Sequence, residues 1–308
     1  MPPRFSLLLA VLAWLLPATV TAPVKAEVTL KAVPDVKALY ATHCGECHGA
    51  DRLGGEGPAL LPENLKRLKK DKARKVTAEG RIATQMPGFS GKLSPDQIAA
   101  LTELIYTSLP HLPQWGRTEI AASHIVYNAV AGLPDEPVHK ADPLNLFTVV
   151  ETGDHHVTIL DGDSFEPLWR FPSRFALHGG AKYSPDGRFV YLGSRDGWVS
   201  KYDLYSFKPV AEIRAGINTR NIAVSSDGKW VMVGNYLPHS LVVLNAADLS
   251  LFRVISVDNG KGESSRVSAV YDAAPRKSFI AALKDFKEVW ELAYDPHAAP
   301  VYGNFVHS

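Results

Sequence analysis

Two thiols and an imidazole fall within one short run, Cys44-Gly45-Glu46-Cys47-His48, and these are the only two cysteines of the chain. An exported protein ordinarily oxidises such a pair to a disulfide, but two intervening residues followed at once by histidine form the pattern of c-type haem attachment. The spacing suits that chemistry. The two thiols add to two vinyl groups on one porphyrin edge, while a short helical turn carries the next imidazole onto the iron. A thioredoxin-like pair would sit beside a βαβ pattern, and none surrounds residue 44. A tetrahedral zinc site would need two further ligands at chelating spacing, which His43 and His48, each directly adjacent to a cysteine, do not provide. Cys44 and Cys47 are therefore expected as the thioether anchors of a covalent haem c, with His48 as the proximal iron ligand.

Met86 is the candidate for the sixth iron position. Of the three methionines, Met1 starts the chain and Met232 lies inside an apolar strand pattern, whereas Met86 occupies the proline-flanked turn Gln85-Met86-Pro87-Gly88-Phe89. A His/Met pair raises the iron potential relative to His/His and suits onward electron transfer. The elements that must hold these groups can be read around them. Gly49 to Pro62 is a glycine- and proline-rich loop, and Glu63 to Gly80 reads as one basic amphipathic helix. Ser94-Pro95-Asp96-Gln97 opens another helix, with serine as the cap and proline at the first helical position. Ile98, Leu101, Ile105 and Leu109 continue it at helical spacing until Pro110. With a helix at about Val36 to Thr42, residues 33–112 resemble an all-α class I cytochrome c domain.

Residues 1–26 read as a secretory signal peptide. Arg4 supplies the positive end, Leu7 to Leu16 the apolar run, and Val20-Thr21-Ala22 or Val24-Lys25-Ala26 an A-x-A-like cleavage site. Pro17 and threonines interrupt the run short of the ~20 apolar residues that a membrane span needs. A periplasmic protein with no membrane span after cleavage is expected. About 280 residues then remain, enough for two domains. With 33 basic and 32 acidic residues there is no global field to favour nucleic acid or an anionic membrane.

After a linker at 113–143, the pattern from Leu144 changes to short alternating strands with a period of about 42 residues. Phe147, Phe189 and Trp230 are expected at equivalent strand positions, as are Asp161, Asp203 and Asn245. Ser184-Pro185-Asp186-Gly187-Arg188 recurs as Ser225-Ser226-Asp227-Gly228-Lys229, each a turn leading into an aromatic-led strand. Four-stranded sheets at this period are the signature of a β-propeller. Blades are placed near 145–171, 184–213, 225–255 and 266–293, with one more strand at Val301 to Val306. A multidomain chain follows, all-α then all-β, and the propeller over 144–308 is read as incomplete.

A c-type cytochrome domain followed by a propeller, with Arg174-Phe175-Ala176-Leu177-His178-Gly179-Gly180 before its second blade, resembles the cytochrome cd1 family. The phrases VVETGDHHVTILDGD, FPSRFALHGG, SRDGWVSKYDLY, AGINTRNIAVSSDGKWV and NYLPHSLVVL carry the likeness to its dehydrogenase branch. The resemblance implies an eight-bladed propeller, of which about four blades are present here, holding haem d1 or dihydro-haem d1. It also implies His178 as the proximal ligand of that second macrocycle, beside a backbone freed by Gly179 and Gly180. Such a macrocycle carries several carboxylates, and Arg174, Arg195 and Arg220 at the blade mouths are candidates to bind them bidentately. Tyr236 matches a tyrosine of the family site, while His155 and His156 are left as hairpin residues. The activity implied is oxidation of a dihydro-haem d1 propionate to an acrylate, in haem d1 biosynthesis for denitrification. A soluble electron acceptor or donor and the cytochrome cd1 nitrite reductase are the partners implied. Nitrite reduction on the same scaffold and a plain c-type electron carrier with a remnant propeller are the rival readings.

Overall fold

The computed structural model describes residues 35–111 and 113–298. The expected signal peptide and the expected strand at 301–306 lie outside them. Among the described residues six α-helices span Val36–His43 (α1), Gly45–His48 (α2), Pro62–Leu65 (α3), Lys70–Glu79 (α4), Pro95–Tyr106 (α5) and Arg117–Ala122 (α6). The Asp35 carboxylate accepts from the Lys37 backbone N–H at 3.0 Å to start α1. Ser94 and Gln97 exchange side-chain and backbone bonds in a capping box at the start of α5, with Pro95 at its first position.

The basic stretch Glu63 to Gly80 is not one helix. It breaks between α3 and α4, where the Leu68 N–H bonds the Leu65 carbonyl at 2.8 Å and the Tyr106 hydroxyl donates to the Leu68 carbonyl. The turn lets Leu65 and Leu68 both enter the apolar cluster of Tyr40, Phe89, Leu93, Ile98, Leu101 and Ile105 before α4 begins.

Fifteen strands follow: Ile125–Val126 (β1), Leu146–Glu151 (β2), His156–Asp161 (β3), Pro167–Pro172 (β4), Lys182–Tyr183 (β5), Phe189–Gly193 (β6), Trp198–Asp203 (β7), Lys208–Arg214 (β8), Asn218–Val224 (β9), Trp230–Leu237 (β10), Ser240–Asn245 (β11), Leu251–Ser256 (β12), Val267–Ala273 (β13), Ser278–Leu283 (β14) and Val289–Ala293 (β15). They form four antiparallel sheets, ordered β2-β3-β4, β1-β8-β7-β6-β5, β9-β10-β11-β12 and β13-β14-β15. The sheets are propeller blades, but with three, five, four and three strands rather than a uniform four.

The fifth strand of the second blade comes from the stretch expected to be a plain linker. β1 pairs with β8, and α6 precedes it, with Ile120 fully buried against the second and third blades. Each apolar core is shared between neighbouring blades. Val157, Ile159 and Phe171 of the first meet Val190, Leu192 and Tyr202 of the second, while Met232 and Leu241 of the third meet Val267, Val270 and Phe279 of the fourth.

The repeated turns are the same device. Ser184 and Ser225 each donate to the aspartate two residues on, and accept from the backbone N–H of the strand's lead aromatic at 2.9 Å. Phe189 pairs with Asp203 and Trp230 with Asn245, as expected. The first blade departs: Asp161 faces Leu146 rather than Phe147. That single-residue shift reverses the side-chain face, so Leu146 joins the core while Phe147 is 47% exposed and stacks on Phe165 at 5.9 Å.

In the second blade, Arg188 Nε bonds the fully buried Asp203 carboxylate at 2.8 Å, and Arg188 Nη2 bonds the Pro134 carbonyl at 2.8 Å. Removing one partner of a buried pair strands a charge, at a cost of about 3–5 kcal/mol. Arg188→Met should therefore lower the urea midpoint sharply, and adding Asp203→Asn should recover part of the loss. An unchanged midpoint in Arg188→Met would show that the pair does not hold this blade.

Candidate functional site

Cys47 and His48 lie on α2, a single turn, and Cys44 caps its start. Cys44 is half-buried, and burial pushes its thiol up to about 11; Cys47 is exposed. The two are not joined in a disulfide. His48 is 7% exposed, with Nδ1 2.8 Å from the Pro58 carbonyl. A carbonyl only accepts, so the ring proton sits on Nδ1 and the Nε2 lone pair is left for a metal. Burial lowers the imidazole pKa against the opposing pull of the Pro58 bond.

The loop after the motif is shaped around this ring. A Cβ at Gly57 would come within 2.8 Å of His48 Cε1, and the Tyr40 hydroxyl donates to the Gly49 carbonyl at 2.9 Å. Met86 is half-buried and lines the same apolar cluster as Cys44 and Phe89, on a loop closed by the Arg81 N–H to the Met86 carbonyl at 3.1 Å. Two anchors on one turn, a neutral buried imidazole and a thioether in one apolar cluster fit a covalent haem c with His/Met ligation.

On the propeller, His178 Nδ1 lies 2.9 Å from the Arg220 carbonyl and Nε2 lies 3.0 Å from Arg220 Nη1. The carbonyl only accepts and the guanidinium only donates, which fixes the neutral tautomer with its lone pair on Nε2. Burial is the main cause that keeps this imidazole below its ordinary pKa. The Arg220 carbonyl bond opposes it, and the Arg195 and Arg220 charges add to it. Gly179 and Gly180 both adopt left-handed backbone, at φ +87° and +72°. Beside them lies a cavity of about 180 Å³ lined by Val150, Thr152, Leu177, His178 and Leu192. It is smaller than the ~300–1,000 Å³ of a full ligand pocket, too small to enclose a whole macrocycle.

Arg195 is exposed overall, but partial desolvation of its guanidinium, together with the charges of Arg220 and Arg67, depresses its pKa, opposed by Tyr236. The Arg220 guanidinium sits 5.8 Å from the Tyr236 ring centre, and that of Arg266 sits 5.3 Å from it. His178, Arg195, Arg220 and Tyr236 are thus brought together. Arg174 is not free to join them. Its guanidinium is paired with Glu212 at 2.6 Å and lies 3.8 Å over the Trp198 ring, and Glu212 also accepts from Ser200 and Tyr127. The hairpin histidines are structural, His155 packing edge-on to Phe175 at 5.2 Å and His156 Nδ1 meeting the Asp154 carbonyl at 3.0 Å.

The haem loop rests on the propeller through a joint with no local sequence signal. Ala59 and Leu61 share a buried cluster with Ile217 and Leu237, flanked by Leu53, Leu109 and Trp115. Arg214, 8% exposed, donates from Nη2 to the Leu53 carbonyl at 2.5 Å and from Nε to the Asp196 carbonyl at 2.8 Å, and lies 4.6 Å over the Trp115 ring. A fully buried aliphatic side chain contributes ~1.5–3 kcal/mol, against ~0.5–1.5 kcal/mol net for a typical hydrogen bond. Apolar packing therefore holds the joint, and Arg214 sets its register.

A c-type cytochrome domain in front of a propeller that presents a neutral imidazole among arginines defines a two-domain haem-protein architecture. Residues 141–306 match the family described as Cytochrome D1 heme domain, and residues 31–105 match Cytochrome C oxidase, cbb3-type, subunit III. The chain belongs to the cytochrome D1 heme domain family. It is 61% identical over 258 residues to the dihydro-heme d1 dehydrogenase of Pseudomonas aeruginosa, covering 84% of this chain and 52% of that protein. The solved structure of dihydro-heme d1 dehydrogenase NirN in complex with DHE matches with a TM-score of 0.80, over 84% of this chain and 56% of that one. A nitrite reductase of Stutzerimonas stutzeri is 25% identical over 276 residues, 83% of this chain and 48% of that protein. The chain thus spans about half the length of the relatives it matches. The likeness to the cytochrome cd1 family holds, and it is stronger on the dehydrogenase side. No helix among the described residues is long and apolar enough to cross a membrane.

Asp196 gives the joint a pH signature. Burial pushes its carboxyl up to about 6, with Ser194, Arg214 and Arg174 pulling the other way, and its Oδ2 has no partner. The folded chain keeps this proton where the unfolded chain, with a carboxyl near ~3.9, has lost it. Stability from this group is therefore full below about pH 4 and falls as pH rises to about 6. Asp196→Asn should match the parent near pH 4 and exceed it at neutral pH by on the order of 2–3 kcal/mol. Melting temperatures across that window test this, and a variant destabilised at neutral pH would refute it.

Proposed function

We propose that this chain is a periplasmic c-type haem electron-transfer protein whose propeller binds dihydro-haem d1 and takes part in oxidising its propionate to an acrylate. The observation that carries this reading is His178, held as the neutral tautomer by the Arg220 carbonyl with its Nε2 facing a guanidinium. The 61% identity to a dihydro-heme d1 dehydrogenase supports the choice of reaction over nitrite reduction.

In this reading Cys44 and Cys47 anchor a haem c, which supplies one-electron transfer, and His48 and Met86 ligate it. His178 would hold the second iron through Nε2, and the Arg220 guanidinium that now donates to that nitrogen would then be free to pair with a ligand carboxylate, an ionised acceptor in place of a neutral one. Arg195 offers a second cation, and Tyr236 flanks Arg220. Removing two hydrogens from the propionate releases two electrons and two protons. The joint at Leu61, Ile217 and Arg214 keeps the haem c loop against the propeller so that electrons leave singly through the cytochrome domain to a soluble acceptor. The cytochrome cd1 nitrite reductase, which uses the finished cofactor, is the second partner.

Acid-acetone extraction and the pyridine haemochrome of the purified protein test this. Two pigments are expected, one covalent and one extractable, with turnover of added dihydro-haem d1 to haem d1. His178→Ala should keep the covalent pigment and lose the extractable one. A single covalent haem, with no uptake of added tetrapyrrole, would sink the propeller half of the proposal.

A further inference from the structure

The cytochrome domain brings cations of its own to the propeller site. Leu61, 1% exposed, is buried with Ile217 and Leu237. Ile217 lies in the segment leading to Arg220, and Leu237 directly follows Tyr236. Helix α3 starts at Pro62, next to Leu61, and Lys66 and Arg67 come off its end. The packing therefore anchors the segment leading to these two residues against the strands that carry Arg220 and Tyr236. Two couplings agree with that placement: Arg67 acts on Arg195, and Lys66 acts on His239.

Arg67 is exposed, and among the described residues neither it nor Arg195 nor Arg220 has a carboxylate partner, whereas Arg174 and Arg266 are each ion-paired. Like charges so gathered repel one another unless an anion joins them. Guanidinium groups take carboxylates in a bidentate fork that an ammonium cannot reproduce.

We propose that Arg67 of the cytochrome domain is part of the tetrapyrrole site and, together with Arg195, binds a carboxylate of the ligand, so that both domains close the site. The inference rests on the function proposed above. It makes the cytochrome domain a determinant of which tetrapyrrole is accepted, since a ligand lacking that carboxylate leaves the guanidinium groups unneutralised.

The test is an absorbance titration of the purified, haem c-loaded full chain with dihydro-haem d1, at low and at high ionic strength. Parent, Arg67→Gln, Arg67→Lys, His178→Ala and the distant control Lys72→Gln are compared. Arg67→Gln should weaken binding by about tenfold or more and flatten its salt dependence. Arg67→Lys should fall between parent and Arg67→Gln, and Lys72→Gln should bind like the parent. The haem c spectrum and melting temperature should be the same in all. If Arg67→Gln binds as tightly as the parent while His178→Ala does not bind, the inference fails and the proposed function stands. If Arg67→Gln keeps tetrapyrrole affinity but loses electron transfer to a soluble acceptor, Arg67 belongs to a docking surface and the inference is overturned. A parent that takes up no tetrapyrrole overturns both.

Discussion

The apolar joint between the haem loop and the propeller is the constraint on which the rest depends. His48 is set by Pro58 and Gly57, and the same loop runs on through Ala59 and Leu61 into the cluster with Ile217 and Leu237. Any displacement of the loop on the propeller must therefore be felt at His48, because one short covalent segment serves both. On the other side, Ile217 and Leu237 belong to the stretches that carry Arg220 and Tyr236, and Arg220 in turn holds His178 by both ring nitrogens. A single buried cluster thus references the two candidate ligand histidines to each other. Side chains there are close-packed, so the distance between the two sites cannot drift without opening a cavity.

The blades give that reference its stiffness. Every apolar core in the propeller is shared across two sheets, so no blade buries its face alone. The segment between the domains adds to this. By contributing β1 to the second blade and Ile120 to the core between the second and third, it ties the cytochrome domain to the blade that also supplies Arg195 and Arg214. The second blade is the most elaborately held of the four, with buried Asp203 gripping Arg188 and Ser206, and Glu212 gripping Arg174, Ser200 and Tyr127.

What could be read in the sequence was local, and what could not was long-range. Cys44, Cys47 and His48 declare themselves by spacing, α5 by its capping box, and the propeller by a turn that repeats its chemistry in Ser184 and Ser225. The shift that turns Phe147 outward is one residue, below the resolution of a period of about 42. The break between α3 and α4 follows from what Leu65 and Leu68 must reach, not from any breaker residue. β1 is two residues long and exists because β8 offers an edge to it. Arg174 looked like a site residue because its partner Glu212 is 38 positions away, and Arg214 and Arg67 gave no signal because their meaning arises across the joint.

The sorting of charges separates a binding site from an ordinary surface. The chain has nearly equal numbers of acids and bases, so carboxylates are not scarce. Arg174, Arg188 and Arg266 are each matched to one, and such pairs relieve the cost of partly burying a guanidinium. Around His178 the opposite choice is made: Arg195 and Arg220 lie close enough to depress its protonation further, and among the described residues no acid is paired with either. A fold gains nothing in stability from gathering like charges, and a solvated surface would spread them apart. The proposed tetrapyrrole ligand would supply the missing carboxylates. The same charges help keep the His178 ring neutral, so in the proposed function the feature that would attract the acidic edge of a macrocycle also prepares the nitrogen that would bind its iron.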